Sequence, residues 1–167
     1  MKILLPFILL LFFNLLACKN ADQIISIKNE QGQIIQKIYG DTSSGINGRV
    51  EVFGNNGELI ETAFYKHGKL EGERKMFENG KLYSIENRAH DNYEGPYTVF
   101  HPNGNKMVEG QYENNVTVGL WKSFYPSGVL KDEVMMKDNA ENGKFKEYYE
   151  NGAIKALGTY KDGTNEQ

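Results

Sequence analysis

Residues 48 to 163 carry a pattern of apolar and polar positions that repeats about every 24 residues. Glycines at spacings of 24, 23, 24 and 24 set its register: Gly48, Gly72, Gly95, Gly119 and Gly143. Five residues after each of them stands an aromatic residue: Phe53, Phe77, Phe100, Phe124 and Tyr148. A second glycine follows each aromatic residue: Gly57, Gly80, Gly104, Gly128 and Gly152. Self-similar columns at such a period are typical of a repeat protein.

Each repeat predicts a β-hairpin. In His101-Pro102-Asn103-Gly104, proline at the second and glycine at the fourth position suit a type I turn that closes on a left-handed glycine. A last column holds only residues that tolerate positive φ, and it marks the opposite turn: Gly68, Asp91, Asn115, Asn139 and Gly163. The sequence therefore predicts an all-β fold, an elongated antiparallel meander of hairpins in one solenoid-like sheet.

The ends of the repeat region differ from its middle. Residues 23 to 39 predict a hairpin of weaker register around Gln31-Gly32, and solenoids need atypical ends to hide an open edge. We therefore expect an N-terminal capping hairpin over 23–47, five repeats over 48–163 and a tail over 164–167.

The aromatic positions of the first strand of each repeat present a conflict. The second residue after the starting glycine is largely aromatic, in the column Val50, Arg74, Tyr97, Trp121 and Phe145. It lies three residues before the Phe53 column, so in a simple strand the two columns would point to opposite faces. Either a β-bulge or a two-faced sheet would resolve this, and the starting glycine is the expected place for a neighbouring aromatic ring to cross the backbone. Repeat two carries Arg74 and Arg88 in its aromatic columns, as a polar interruption or a contact point.

The first 18 residues predict a targeting signal. Residues 3 to 16 are apolar apart from Pro6 and Asn14, which is too short for a membrane span of roughly 20 residues but suits a secretory signal. The run ends in Leu15-Leu16-Ala17-Cys18, which resembles the bacterial lipobox. That resemblance implies a signal peptide over 1–17 cut after Ala17, lipid attachment at Cys18 and a tether over 18–22.

We accordingly expect a lipid-anchored protein of the bacterial cell envelope, held to the membrane through acylated Cys18. Lys19 favours the outer over the inner membrane if the organism has both. The alternatives are an uncleaved N-terminal anchor or a plain signal peptide with an incidental cysteine.

Composition excludes several classes of protein. The 167 residues include one Cys, so the chain is not a disulfide-stapled scaffold. The formal net charge is -3, with Lys and Glu interspersed, which argues against a nucleic-acid partner.

Candidate chemistry is sparse. No nucleophile elbow or glycine-rich phosphate loop is present, since the glycines keep turn spacing. His67 and His90 occupy equivalent positions, with strands roughly 9 to 10 Å apart, but solvated turn histidines explain them better than a metal site. We therefore expect no catalytic residue, no metal and no cofactor.

The pattern G-x-[aromatic]-x-x-[Phe/Tyr]-x-x-N-G-x-[Leu/Ile], followed by a Tyr and a Gly, resembles the MORN-variant repeat of the YwqK family. It is clearest in Gly119 to Leu130 and Gly143 to Tyr160. The resemblance implies stacked β-hairpins without known catalytic residues, and many members of that family are described as antitoxins.

Two roles are open for the aromatic columns. Their side chains either pack against one another across the strands or form an exposed row that binds a partner. The candidate partner-binding residues are Tyr97, Tyr112, Trp121, Phe145 and Tyr160. The leading hypothesis is a non-catalytic, membrane-anchored scaffold that binds a protein partner. The alternatives are an antitoxin or immunity protein that neutralises a cognate toxin, and a module that binds envelope glycans or lipid headgroups.

Overall fold

The computed structural model describes residues 23–166, all of them in strands, turns or irregular segments. The predicted signal peptide, its cleavage flank Ala17, the lipid-attachment residue Cys18 and the tether lie outside the described residues. The strands are β1 (Ile24–Lys28), β2 (Ile34–Asp41), β3 (Asn47–Phe53), β4 (Leu59–Lys66), β5 (Lys69–Leu70), β6 (Gly72–Glu78), β7 (Lys81–Ala89), β8 (Asn92–Phe100), β9 (Lys106–Glu113), β10 (Val116–Phe124), β11 (Leu130–Lys137), β12 (Ala140–Tyr148), β13 (Ile154–Lys161) and β14 (Thr164–Glu166).

These strands form one 14-stranded antiparallel sheet in which neighbours in the chain are neighbours in space. The short β5 pairs with β4 beside the main path, and β1 and β14 form the two edges. The predicted all-β hairpin meander in a single sheet is confirmed.

The turn after the first strand of a repeat has the predicted chemistry in four of five repeats. In repeat one Gly57 donates to the carbonyl of Gly54, and Gly54 donates to the carbonyl of Glu58, both at 2.9 Å. Gly57 has a φ of 80°, and the pairing register shifts beside the turn, which defines a type I turn with a glycine bulge.

Repeat two has a tighter turn. Glu78 pairs directly with Lys81, and both intervening residues have positive φ, 50° at Asn79 and 72° at Gly80. This is a two-residue type I′ turn, in which Asn-Gly is the favoured pair. It is one residue shorter than its equivalents and accounts for the single spacing of 23 between starting glycines.

The opposite turns are all two-residue type I′ turns. Every member of the predicted Gly, Asn and Asp column has positive φ, from 65° at Asn139 to 80° at Gly163. Asn115 also joins its repeat to the preceding one, because its backbone N–H donates to the carbonyl of Tyr93 at 3.0 Å and its side-chain oxygen accepts from the N–H of Tyr93 at 2.7 Å. An amide side chain thus adds a cross-repeat hydrogen bond that glycine cannot make.

The two faces of the sheet differ in burial. Residues directly opposite each other on paired strands share a face, and the face that carries Val50 and Ala63 is here called the inner face. The buried residues of the described part of the chain all lie on it: Ile38, Val50, Ala63, Ser84, Glu86, Val99 and Phe145. The opposite, outer face exposes Phe64, Leu120, Met135 and Leu157. The core is therefore a single layer of side chains on one face of the sheet.

A two-faced sheet resolves the conflict between the aromatic columns. Trp121 and its equivalents lie on the inner face, whereas members of the other column contact outer-face side chains: Lys37 lies over the ring of Phe53 at 5.3 Å, and the hydroxyl of Tyr148 donates to Glu133 at 3.1 Å.

The register also shifts at the starting glycines, as between Val118 and Lys122 around Gly119, whose φ is 70°. The predicted ring position is wrong, however. Nothing lies within 4 Å of the Cβ position of Gly119, whereas the ring of Trp121 lies across Gly110 and that of Phe145 lies across Gly158. The rings cross the second strand of the hairpin because Gly110 and Gly158 have no side chain to block them.

Candidate functional site

An aromatic cluster of Tyr93, Tyr97, Tyr112 and Trp121 lies on the inner face of β8 to β10. Tyr93 stacks on Tyr112 with ring centroids 4.8 Å apart. Tyr112 meets Tyr97 and Trp121 edge to face, at 5.5 Å and 5.3 Å. The indole N–H of Trp121 donates to the carbonyl of Val118 at 3.2 Å. These are the distances of aromatic packing, and the four rings are half-buried.

The other two candidate residues form a separate pair. Phe145 and Tyr160 have ring centroids 4.7 Å apart, and Phe145 is only 8% exposed. The five predicted partner-binding residues therefore fall into two groups, and their binding role stays a prediction. Tyr93 was missed because the equivalent position in other repeats, such as Thr117, is not aromatic and forms no column.

The hydroxyls of the aromatic cluster stay protonated at neutral pH. Burial raises the pKa of Tyr97 to about 12, and the neighbouring Tyr112 and Tyr93 add to the shift. Burial also raises the pKa values of Tyr93 and Tyr112. The cluster thus offers neutral rings, and its geometry favours the packing role.

An ionic network built around the buried Glu86 lies beside the aromatic cluster in repeat two. Arg74 donates to both carboxylate oxygens of Glu61, at 2.9 and 2.8 Å, and to Glu86 at 2.7 Å. Arg88 donates to the same oxygen of Glu86 at 2.9 Å. Its guanidinium also lies 3.4 Å from the ring centroid of Tyr93, which joins the network to the aromatic cluster.

Charge within this network is balanced, with two carboxylates against two guanidinium groups. Burial alone would raise the pKa of Glu86, but hydrogen bonds and charge from Arg74 and Arg88 outweigh burial and hold it below its ordinary value. Each charge has a partner inside the network. Arg74 and Arg88 therefore fit a polar interruption of the aromatic columns better than a contact point for another molecule.

A cross-strand row of charges follows the outer face. Glu109, Lys122, Glu133 and Lys146 stand opposite one another on successive strands. Lys122 approaches Glu109 at 3.7 Å and Lys146 approaches Glu133 at 3.4 Å. These pairs are at least partly exposed, so each contributes little to stability.

Beside this row, Leu120 and Met135 form an exposed apolar pair. They stand directly opposite each other and are 43% and 39% exposed. Their only sequence signal is that both are apolar at positions whose side chains point away from the inner face.

The shortened turn of repeat two borders a cleft of about 260 Å³. Its apolar walls are Leu82, Tyr83, Phe100 and Met107, and His101 lies at its rim. His101 is held in place by a 2.8 Å hydrogen bond between its Nε2 atom and the carbonyl of Phe124.

The other two histidines lie in exposed turns. His67 and His90 both have positive φ, and Nδ1 of His90 is 3.8 Å from Glu71. Within residues 23–166, no group of three or more His, Cys, Asp or Glu side chains could hold a metal ion. The same part of the chain contains no helix long and apolar enough to cross a membrane.

The fold and its packed inner face define a β-hairpin repeat protein, a repeat-based scaffold. The model of the MORN repeat variant matches residues 93–114, 117–138 and 141–162. The three matches follow one another, and each covers one hairpin: β8–β9, β10–β11 and β12–β13. No curated protein matches the chain.

Proposed function

We propose that the protein is a non-catalytic, lipid-anchored scaffold of the bacterial cell envelope that binds a protein partner through the outer face of its repeats. The observation that carries this proposal is the exposed pair Leu120 and Met135, bordered by Lys122 and Glu133. An apolar centre with a charged rim is the usual composition of a protein-binding surface. The MORN-variant repeats hold this pair on a rigid sheet.

The outer face suits a partner better than the inner face. Trp121 and Tyr97 are half-buried and contact each other and Tyr112, so removing them would disturb the sheet as well as any binding. Leu120 and Met135 leave much of their surface exposed, and their substitution leaves the inner-face packing in place.

Partner binding is tested by purifying the full chain from membranes and identifying the proteins that co-purify with it. We expect Leu120→Lys combined with Met135→Lys to remove a stoichiometric partner, because two added charges cannot be buried in an apolar contact. The matched control is Phe64→Lys, on the outer face of repeat one and 48% exposed, which should retain the partner. A partner that persists in the double variant and is lost only with Tyr97→Ala plus Trp121→Ala would contradict the outer-face site.

The anchor is proposed from the lipobox-like run that ends at Cys18. Several acyl chains on one residue give stable anchoring, at about 0.8 kcal/mol per buried CH₂. We expect Cys18→Ala to abolish acyl labelling and to shift the protein to uncleaved precursor or soluble product. Unchanged labelling with a radioactive fatty acid in this variant would contradict lipidation at Cys18.

A further inference from the structure

Asparagine followed by glycine recurs along the described part of the chain. The glycine has no side chain to shield its backbone nitrogen, which can attack the side-chain carbonyl carbon, Cγ, of the asparagine and start a deamidation. Whether this happens in a folded protein depends on how firmly the two reacting groups are held. Six asparagines precede a glycine: Asn47, Asn56, Asn79, Asn103, Asn142 and Asn151.

Three of these asparagines lie in type I turns with a glycine bulge, where hydrogen bonds hold both reacting groups. In one of them Gly104 donates its backbone N–H to the carbonyl of His101 at 2.8 Å. The side-chain oxygen of Asn103 accepts from the backbone N–H of Asn105 at 3.1 Å. The same two hydrogen bonds occur in the turns at Asn56 and Asn151.

Asn47 and Asn142 are held in other ways. The side-chain oxygen of Asn47 accepts from the backbone N–H of His67 at 2.8 Å, and its side-chain nitrogen donates to the carbonyl of Gly45 at 2.8 Å. Asn142 lies within β12, and its side-chain nitrogen donates to the carboxylate of Asp162 at 3.0 Å. Both side chains would have to break a hydrogen bond before they could react.

Asn79 differs from the other five. It lies in the shortened turn of repeat two, where Asn79 and Gly80 are both exposed to water. Within residues 23–166, no hydrogen bond holds the side-chain amide of Asn79, and none is made by the N–H or C=O of the peptide group between Asn79 and Gly80. The missing residue of this turn has thus removed the hydrogen bond that holds the glycine nitrogen in the longer turns.

The type of this turn also allows the reacting atoms to align. A transient flip of the peptide plane between Asn79 and Gly80 converts the type I′ turn into type II′, the other two-residue hairpin turn, and glycine accepts the change in φ. In type II′ the first turn residue has a ψ of about −120°. At that angle the Gly80 nitrogen eclipses Cβ of Asn79, which is the alignment that closure of a five-membered ring requires.

We propose that Asn79 is a site of spontaneous deamidation in the folded protein and that the fold protects the other five asparagines. The Gly80 nitrogen forms a bond to Cγ of Asn79, the Cγ–Nδ2 bond breaks, and Nδ2 leaves as ammonia with the proton from Gly80. Solvent water then opens the succinimide ring. Cleavage between the Gly80 nitrogen and Cγ gives aspartate, and cleavage between that nitrogen and the main-chain carbonyl carbon gives isoaspartate.

Either product changes the cleft of about 260 Å³ that Glu78 and Asn79 line. Both products add a negative charge beside Glu78. Isoaspartate also inserts one backbone carbon between Glu78 and Lys81, which pair directly across the unmodified turn. This inference is independent of the proposed partner surface, since Leu120 and Met135 lie on β10 and β11.

The rate of deamidation at each asparagine tests the proposal. The purified full chain, kept in mild detergent because residues 3 to 16 are apolar, is incubated in mildly alkaline buffer and digested for mass spectrometry at intervals. We expect Asn79 to deamidate at least roughly tenfold faster than Asn103, the matched control, because each hydrogen bond that must break at Asn103 slows its reaction several-fold. Chromatography of the same peptides identifies isoaspartate.

Unfolding in urea separates the effect of the fold from that of the local sequence. The hydrogen bonds of both turns are lost there, so Asn79 and Asn103 should deamidate at similar rates. In the folded state, one proline inserted between Glu78 and Asn79 restores the length of the turn at Asn103 and should slow Asn79 to the rate of Asn103. Equal rates in the folded wild type, an unreacted Asn79, a preference for Asn79 that persists in urea, or an undiminished rate in the folded insertion variant would each overturn the proposal.

Discussion

Glu86→Gln should lower the free energy of unfolding by about 3 kcal/mol, the largest loss that we expect from a single polar substitution in this chain. Glu86 is 3% exposed and accepts hydrogen bonds from Arg74 and Arg88. The isosteric amide removes only its charge, so two guanidinium groups remain on the inner face with Glu61 as their one carboxylate partner. Urea unfolding followed by circular dichroism measures the change.

The matched control is Glu73→Gln, on the same hairpin. Its carboxylate pairs with Lys75 at 2.7 Å, but the two side chains are 52% and 39% exposed. Exposed ion pairs contribute about 0–1 kcal/mol, so this variant should unfold almost as the wild type does. If both variants lost the same free energy of unfolding, burial of the Glu86 network would add nothing to stability.

The stability difference between the wild type and Glu86→Gln should depend on pH. The pKa of Glu86 is lower in the folded chain than its ordinary value of 4.5, so its stabilising contribution is present above that value and is lost as the pH falls through the folded pKa. The stability difference between wild type and Glu86→Gln should therefore shrink in acid. A difference that stays constant through this range would contradict the ionised network.

Gly110→Ala should destabilise the chain by about 1–3 kcal/mol, the range for overpacking a filled core. An added Cβ would overlap the indole of Trp121, which lies across Gly110 and is itself held by a hydrogen bond to Val118. The ring cannot move without breaking its contacts in the aromatic cluster. Thermal and urea unfolding measure the loss.

A second-site substitution identifies the cause. In a Trp121→Leu background the overlap is absent, so Gly110→Ala should cost much less there than in the wild type, and the two changes should be non-additive. Additive losses would mean that Gly110 matters for its backbone rather than for the ring above it.

The turns could be predicted from the sequence because their geometry restricts residue type. Gly57 and Asn115 lie in left-handed conformations that few residues adopt, so glycine and asparagine recur there and set the period. Repeat two still differed, since a missing residue between Phe77 and Gly80 changed the turn type.

The contacts of the inner face could not be predicted in the same way. They depend on bulges at the starting glycines, which decide that Tyr93 reaches Tyr112 and that Trp121 crosses Gly110 rather than Gly119. The network of Arg74, Glu61 and Glu86 joins three strands, and nothing in the spacing of single residues reports such a triad.

The candidate binding features were missed for a related reason. Alternation along a strand places Leu120 and Met135 on the face opposite Trp121 and Val134, but only the structure shows which face is buried.

Because each strand within residues 23–166 pairs with strands near it in the chain, no strand pairing in this region closes the sheet and fixes its length. Duplication or deletion of one unit between two equivalent Asn residues, such as Asn115 and Asn139, would leave every remaining hairpin with neighbours of the same kind. The length of the sheet can therefore change by whole hairpins without any change in how the remaining hairpins pack.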